Sequence, residues 1–239
     1  MTFFSLIKSS FSLLKQKEPD STEMDIVYLI CHAFGMTHAA LISAYQDSIS
    51  DNVRLRRFEE LFVLRLEGCP LAYLLQSQEF FSRSYYCPKG VLIPRPETEL
   101  LLDALTKYIM QKDSSSLCLF ECGSGTGCIS IELGLRFPDL RIFSWDINPL
   151  AFKASIKNMQ KHKVENVKFY QGDFFEVDFL TYYDDKEMIM FSNPPYVSEN
   201  EWKALSSSIK NYEPKSAFVS GADGLDHLLR LVNLSKMFS

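Results

Sequence analysis

Asn193-Pro194-Pro195-Tyr196 lies in the stretch "FSNPPYVSENEW", directly after the apolar run "MIMFS". Adjacent prolines fix their φ angles and remove their backbone N–H donors. That suits a segment whose carbonyls and one amide side chain must be held still for a ligand. The chemistry it could serve is reaction at a planar –NH₂ group. Such a nitrogen is a poor nucleophile because its lone pair is delocalised, and it reacts only when held in line with an electrophile. The Asn193 side-chain oxygen and the Pro194 carbonyl can each accept one N–H of that group, and Tyr196 offers a flat face for stacking. Acceptors fixed by proline supply orientation and electrostatic preorganisation together. The plain alternative, a Pro-rich turn after a strand, explains neither the Asn nor the Tyr.

Other stretches have types and spacings of the same kind. Glu121-Cys122-Gly123-Ser124-Gly125-Thr126-Gly127 places glycines at alternate positions, which allows a tight turn and close approach of a ligand to the backbone. A dinucleotide fingerprint would need Gly where Cys128 stands, and a P-loop would need a Lys that is absent. Alone, the loop is equally compatible with a structural turn. Asp146 follows Gly127 by nineteen residues, a spacing at which an acid can accept both ribose hydroxyls of a nucleoside. Its alternative role is to cap the helix opened by "DINPLAF", although Asn148 can serve there instead. In Gly172-Asp173-Phe174 an acid beside an aromatic can bond the exocyclic amine of adenine and cover the ring. The alternative is an exposed loop acid and a core Phe.

The elements that must position these residues read as follows. Residues 1–75 are helical throughout: "EMDIVYLICHAFG" and "DNVRLRRFEELFVLRLEG" each show an apolar face and a Gly stop, with Asp51 as N-cap of the second. Residues 76–112 hold a β-hairpin, "QEFFSRSYYCPKGVLI", with turn candidates at Ser82–Arg83 and Pro88–Gly90, and then a Pro-initiated helix, "PRPETELLLDALTKYIMQK". From 113 to 239 short apolar strands alternate with helices: "LCLFEC", "RIFSWD", "NVKFY" and "EMIMFS" are the strands. This predicts an α/β fold with a Rossmann-like, mostly parallel sheet covered on both faces. Ligands bind beyond the carboxyl ends of such strands, and each motif above falls at one of those ends.

Composition narrows the class. The 239 residues carry 25 Lys and Arg against 30 Asp and Glu, a net charge of −5, which argues against a broad phosphate-neutralising surface. No window resembles a membrane span. The start, "MTFFSLIKSSFSLLKQK", is interrupted by Lys8 and has Phe3, Leu6, Ile7, Phe11 and Leu14 at helical spacing, so it reads as an amphipathic helix rather than a signal. A cytoplasmic, reducing compartment is expected. The six cysteines form no C-x-x-C pair, and the four histidines show no metal-ligand spacing, so no metal is expected.

Taken in this order, the strand-end motifs resemble the class I methyltransferases that use S-adenosylmethionine (SAM). Asn-Pro-Pro-Tyr marks those acting on planar nitrogens. "EGCPLAYLL" (67–75), "VLIPRPETELL" (91–101) and "YEPKSAFVSGADGL" (212–225) extend the likeness to the release factor glutamine methyltransferases, over nearly the whole chain. The resemblance implies that Gly123 to Gly127 hold the methionine end of SAM, with Glu121 beneath them on the amino group. It implies Asp146 at the ribose and Asp173 with Phe174 at the adenine. Asn193, Pro194, Pro195 and Tyr196 would receive the glutamine of a Gly-Gly-Gln loop on a peptide chain release factor, with no general base needed. Arg95 and Glu97 would position that loop, or else form an ion pair between domains. The helical domain would dock the protein partner, the protein acting as a monomer without nucleic acid or membrane.

Departures from the pattern are Gln76, where the family usually has Gly, and the end of the chain. The family continues with about three more strands, so the resemblance implies a C-terminally truncated sheet whose fourth strand has an unpaired edge and whose stability suffers. Ribosomal-protein glutamine methyltransferases share Asn-Pro-Pro-Tyr but tend to differ at the Pro-Glu-Thr stretch. An adenine-specific nucleic-acid methyltransferase would use the same motif on a flipped base and would need a basic surface. An inactive truncated binder is the remaining alternative.

Overall fold

The computed structural model describes residues 1–182 and 186–236, in two compact units, 1–76 and 77–236. The first unit is made of helices α1 (Phe3–Lys17), α2 (Glu23–Phe34), α3 (His38–Ser43), α4 (Asn52–Leu66) and α5 (Leu71–Leu75). Helix α1 opens on a capping box between Thr2 and Ser5, and α2 stops at Gly35, whose φ of 64° ends the helix without a Cβ penalty. Their apolar stripes bury Ile7, Leu14, Ile26, Leu29, Ile30, Leu41 and Phe58. Arg65 of α4 reaches through this unit to the carboxylates of Glu18 and Asp25.

The second unit begins with a hairpin of β1 (Ser77–Phe80) and β2 (Arg83–Tyr86), paired Ser77 to Tyr86 and Phe80 to Arg83. The turn falls on Phe81 and Ser82, with φ of 48° and 57°, one residue earlier than the sequence suggests. A two-residue loop with both centres left-handed matches the twist of the strands it joins. Helix α6 (Thr98–Ile109) follows, then β3 (Leu117–Cys122), α7 (Cys128–Arg136), β4 (Arg141–Asp146), α8 (Pro149–His162), β5 (Val167–Gln171) and β6 (Glu187–Ser192). Short helices α9 (Glu199–Ala204) and α10 (Ser207–Tyr212) lead to α11 (Asp226–Ser235). The sequence reading carries the last helix to Ser239; residues 237–239 lie outside the described residues.

Strands β5, β4, β3 and β6 form one parallel sheet in that order, so β6 borders only β3 among the described residues. Side chains alternate along β3. Leu117 and Leu119 face a core shared with α6, α7, the hairpin's Phe80 and Tyr85, and Phe169. Cys118 and Phe120 face the opposite core, built with Phe143, Trp145, Phe174 and Phe179 and flanked by Leu231 and Leu234 of α11. Hairpin and helix α6 therefore share one apolar core with the sheet.

Candidate active site

The carboxyl ends of β3, β4, β5 and β6 surround an open cavity. Of the residues predicted from sequence, Gly123, Gly125, Asp146, Asp173, Phe174, Asn193, Pro194 and Pro195 line it. The parallel register explains this convergence. Cys122 lies opposite Trp145 and Ser192, so all three strands end level and their loops open to one side.

The glycine loop is built by backbone bonds. The N–H groups of Gly123 and Ser124 both donate to the Trp145 carbonyl, and Gly127 N–H donates to the Ser124 carbonyl at 2.7 Å. Asp146 completes it: Oδ2 accepts from Gly125 N–H and Oδ1 from Asn148 N–H, both at 2.8 Å. Asn148, not Asp146, caps α8 through Leu150 N–H. Asp146 thus keeps acceptor capacity on both oxygens for a ligand. Burial pushes its carboxyl up, and the N–H donors from Gly125 and Asn148 oppose that.

Glu121 lies beneath the loop rather than on the cavity wall. It shares the Leu117–Leu119 face of β3 and is fully buried. Its Oε2 accepts from Ser130 of α7 at 2.5 Å and from Ser144 of β4 at 2.6 Å, while Oε1 has no hydrogen-bond partner among the described residues. Burial outweighs both serines and pushes the carboxyl up to about 7. The sequence reading missed these serines; Ser144, polar in the middle of "RIFSWD", was the available signal. Ser124 and Thr126 are also buried in the loop.

At the end of β5, Asp173 Oδ1 accepts from Phe175 N–H, and its other oxygen lies 3.5 Å from Arg230. The Arg230 guanidinium stacks 3.8 Å over Phe175. Phe174 is 3% exposed and packs edge-on against Trp145 and Phe179, so it contributes mainly to the core behind the wall. Sequence reasoning passed over Arg230 and His227, which line the cavity from α11 at helical spacing.

At the end of β6, Ser192 Oγ donates to the Cys122 carbonyl at 2.6 Å, fixing the strand where the prolines begin. Asn193 Nδ2 donates to Thr98 Oγ1 at 3.3 Å. Beyond the prolines, Val197 N–H donates to the Phe218 carbonyl and Ser220 N–H to the Val197 carbonyl, so "SAFVS" clamps the turn from behind. Tyr196 is 71% exposed and is not part of the cavity wall. Arg95 and Glu97 also lie off the wall. Arg95 forms an ion pair with Glu213 inside the second unit, and Glu97 is exposed at the start of α6.

The cavity fits SAM. Its glycine backbone is accessible, since a Cβ built on Gly123 or Gly125 meets nothing. Two carboxylates, on Asp146 and Asp173, line it and can accept hydroxyl or amine donors. Among the described residues no cluster of His, Cys, Asp and Glu could hold a metal ion, and no helix is long and apolar enough to cross a membrane.

Family models match on both units: a PrmC N-terminal domain over residues 5–75 and a methyltransferase domain over residues 113–230. The release factor glutamine methyltransferase of Bacillus cereus is 31% identical over 233 residues, covering 97% of this chain and 80% of the relative. That of Clostridium acetobutylicum is 32% identical over 97% and 80%. That of Vibrio cholerae is 31% identical over 94% and 76%. Among solved structures, the hMettl16 catalytic domain in complex with a MAT2A hairpin superposes with a TM-score of 0.53 at 18% identity. It covers 75% of this chain and 64% of that one, a likeness of fold alone.

Proposed function

The chain belongs to the release factor glutamine methyltransferase family, and from that premise we propose that it methylates the side-chain amide nitrogen of a Gly-Gly-Gln glutamine on a peptide chain release factor. The protein is a class I methyltransferase in fold, an enzyme, and SAM is its cofactor. One observation carries the proposal: a single cavity brings Asn193, Pro194 and Pro195 together with Gly123, Gly125, Asp146 and Asp173.

When bound, SAM supplies an electrophilic methyl group on a sulfonium centre. The loop Gly123–Gly127 would hold its methionine end with backbone groups, and Glu121 would act from below that loop. Asp146 would accept the ribose hydroxyls and Asp173 the adenine amine, with Phe174 behind it. Asn193 Oδ1 and the Pro194 carbonyl would each accept one N–H of the glutamine amide and so turn its nitrogen toward the methyl. Pro195 keeps both acceptors in place, and exposed Tyr196 stacks on the planar amide as the loop enters. No side chain is assigned as general base, since an N-alkylated amide cation is acidic enough to lose its proton to water.

Arg95 and Glu97, in the turn before α6, would guide the incoming loop, Arg95 from its ion pair with Glu213. The helical unit would dock the release factor, because a single glutamine in a pocket cannot specify one protein. The protein would act as a monomer in the cytoplasm, without nucleic acid. The net charge of −5 supports a protein substrate over a polyanion.

The intact mass of a purified release factor after incubation with this chain and SAM tests the proposal. The expected result is a gain of one methyl group, mapped to the Gly-Gly-Gln glutamine and lost on Asn193→Ala while SAM binding persists. Transfer to nucleic acid, or to a ribosomal protein, with none to the release factor would overturn it.

A further inference from the structure

Asn193 has to present an acceptor to the glutamine amide, yet its own side chain carries an acceptor on one side and two donors on the other. Turned the wrong way, the Nδ2 group would face the substrate –NH₂ donor to donor. The prolines that follow restrain the backbone at 194 and 195 but say nothing about rotation of the Asn193 amide, a soft torsion with two broad wells. Something else has to choose the well.

In the structure that contact is Thr98. Its hydroxyl oxygen accepts from Asn193 Nδ2 at 3.3 Å, across 95 positions of sequence. Thr98 is itself buried, 9% exposed, and stands at the first position of α6. Its N–H donates to the Arg95 carbonyl at 3.0 Å, and Arg95 is anchored in turn on Glu213. The hydroxyl therefore sits on a fixed turn rather than on a mobile loop. With Nδ2 engaged there, Oδ1 remains as the polar atom that Asn193 can offer the cavity, whose wall it helps to form; in the flipped amide the same hydroxyl would donate to Oδ1 and Nδ2 would face the cavity, which the exchange measurement below distinguishes.

We propose that Thr98 is a positioning residue for methyl transfer, whose hydroxyl holds the Asn193 amide in the orientation that presents Oδ1 to the substrate. The proposal rests on the functional reading above for its substrate, and on the Thr98–Asn193 contact for its geometry. Thr98 is not part of the cavity wall; it acts through Asn193. The stretch "PRPETE" thereby gains a physical role, since its Thr and the Asn of Asn-Pro-Pro-Tyr work as one unit.

The test compares Thr98→Val, which keeps the shape and removes the hydroxyl, with Thr98→Ser, which keeps the hydroxyl. Steady-state transfer to a purified release factor should show kcat reduced by about tenfold to a hundredfold in Thr98→Val, with SAM affinity by calorimetry unchanged. Thr98→Ser should restore most of that rate. Hydrogen exchange at the Asn193 side-chain amide, read by NMR on the whole chain without substrate, should show one slowed Nδ2 proton in wild type and Thr98→Ser. The protection should be absent in Thr98→Val, or in Thr98→Ala should the valine variant fail to fold.

An unchanged kcat in Thr98→Val would overturn the proposal. So would equal losses of rate and SAM affinity in both variants, or a freely exchanging Nδ2 in wild type. If wild type transfers no methyl to a release factor, the functional reading fails by itself, and the exchange measurement still decides whether Thr98 orients Asn193.

Discussion

Glu213 buries its carboxylate against Arg95, 118 positions earlier in the chain, and with its other oxygen accepts the Ile93 N–H at 3.2 Å. The Glu213 side chain is 1% exposed, whereas that of Arg95 is 35% exposed. Removing the arginine therefore strands a buried charge, while removing the charge leaves a partly solvated cation. Arg95→Met is expected to destabilise the second unit by about 2–4 kcal/mol, and Glu213→Gln by less, because a glutamine oxygen can still accept from Ile93. The double substitution should recover part of the Arg95→Met loss. Urea unfolding of the three variants checks this. If Arg95→Met matched wild type, the pair would not be what fixes the turn before Thr98.

Glu121 makes stability depend on pH in the sense opposite to most carboxylates. Its folded value of about 7 lies above the ordinary 4.5, with burial as the leading cause and the Asp146 charge adding to it. The native state thus holds this proton more tightly than the unfolded chain does. The contribution is full below pH 4.5 and is lost as pH rises through about 7. The gap is worth on the order of 3 kcal/mol. Urea midpoints of the ligand-free protein should fall between about pH 5 and pH 8, and Glu121→Gln should flatten that slope and exceed wild type at the alkaline end. A slope equally steep in Glu121→Gln would assign it to another group.

Much of this was legible in the sequence because it is local. The four sheet strands are short apolar runs ending in polar or glycine residues. "RIFSWD" and "EMIMFS" occupy Arg141–Asp146 and Glu187–Ser192, and their parallel register brings the motif residues to one cavity. Cap geometry was legible too: Asn148 followed by Pro149 announced the start of α8 and left Asp146 for other work. What could not be read is pairing across long separations. Nothing in "PRPETE" says that its Arg meets Glu213 and its Thr meets Asn193, since those contacts join residues 118 and 95 positions apart. Burial was not legible either: Tyr196 is exposed and off the cavity wall, whereas Phe174 lines the cavity and packs into the core behind it.

Asp146 is expected to be the strongest single determinant of cofactor affinity. Its two oxygens hold the Gly125 and Asn148 N–H groups, and it stands on the cavity wall. Asp146→Ala removes charged acceptors for both the loop and the ligand. Hydrogen bonds to a charged group contribute about 1.5–3 kcal/mol, so SAM affinity should fall by about tenfold to a hundredfold. Isothermal calorimetry measures this directly. Asp146→Asn should fall between the two, because the amide oxygen retains one acceptor. Affinity unchanged in Asp146→Ala would mean that the cofactor lies elsewhere in the cavity.

Gly125 and Gly127 stand two residues apart and should fail differently. At Gly127 a Cβ would meet Phe169 and Ser155 at 2.9 Å, and its φ is +80°, so the constraint comes from packing of α7 against β5 and α8. At Gly125 a Cβ would meet nothing, with φ of +54°, and the space it would enter belongs to the cavity. Gly127→Ala should therefore cost about 2–4 kcal/mol of stability, overpacking adding to the left-handed backbone penalty. Gly125→Ala should cost about 1–2 kcal/mol from the backbone alone. Only Gly125→Ala should lose SAM affinity once both proteins are studied well below their unfolding midpoints, because only its methyl occupies ligand space. Paired urea unfolding and calorimetry separate the two. Full affinity in Gly125→Ala would show that the loop does not contact the cofactor there. Equal stability losses would show that Gly127 is no more tightly enclosed than its neighbour.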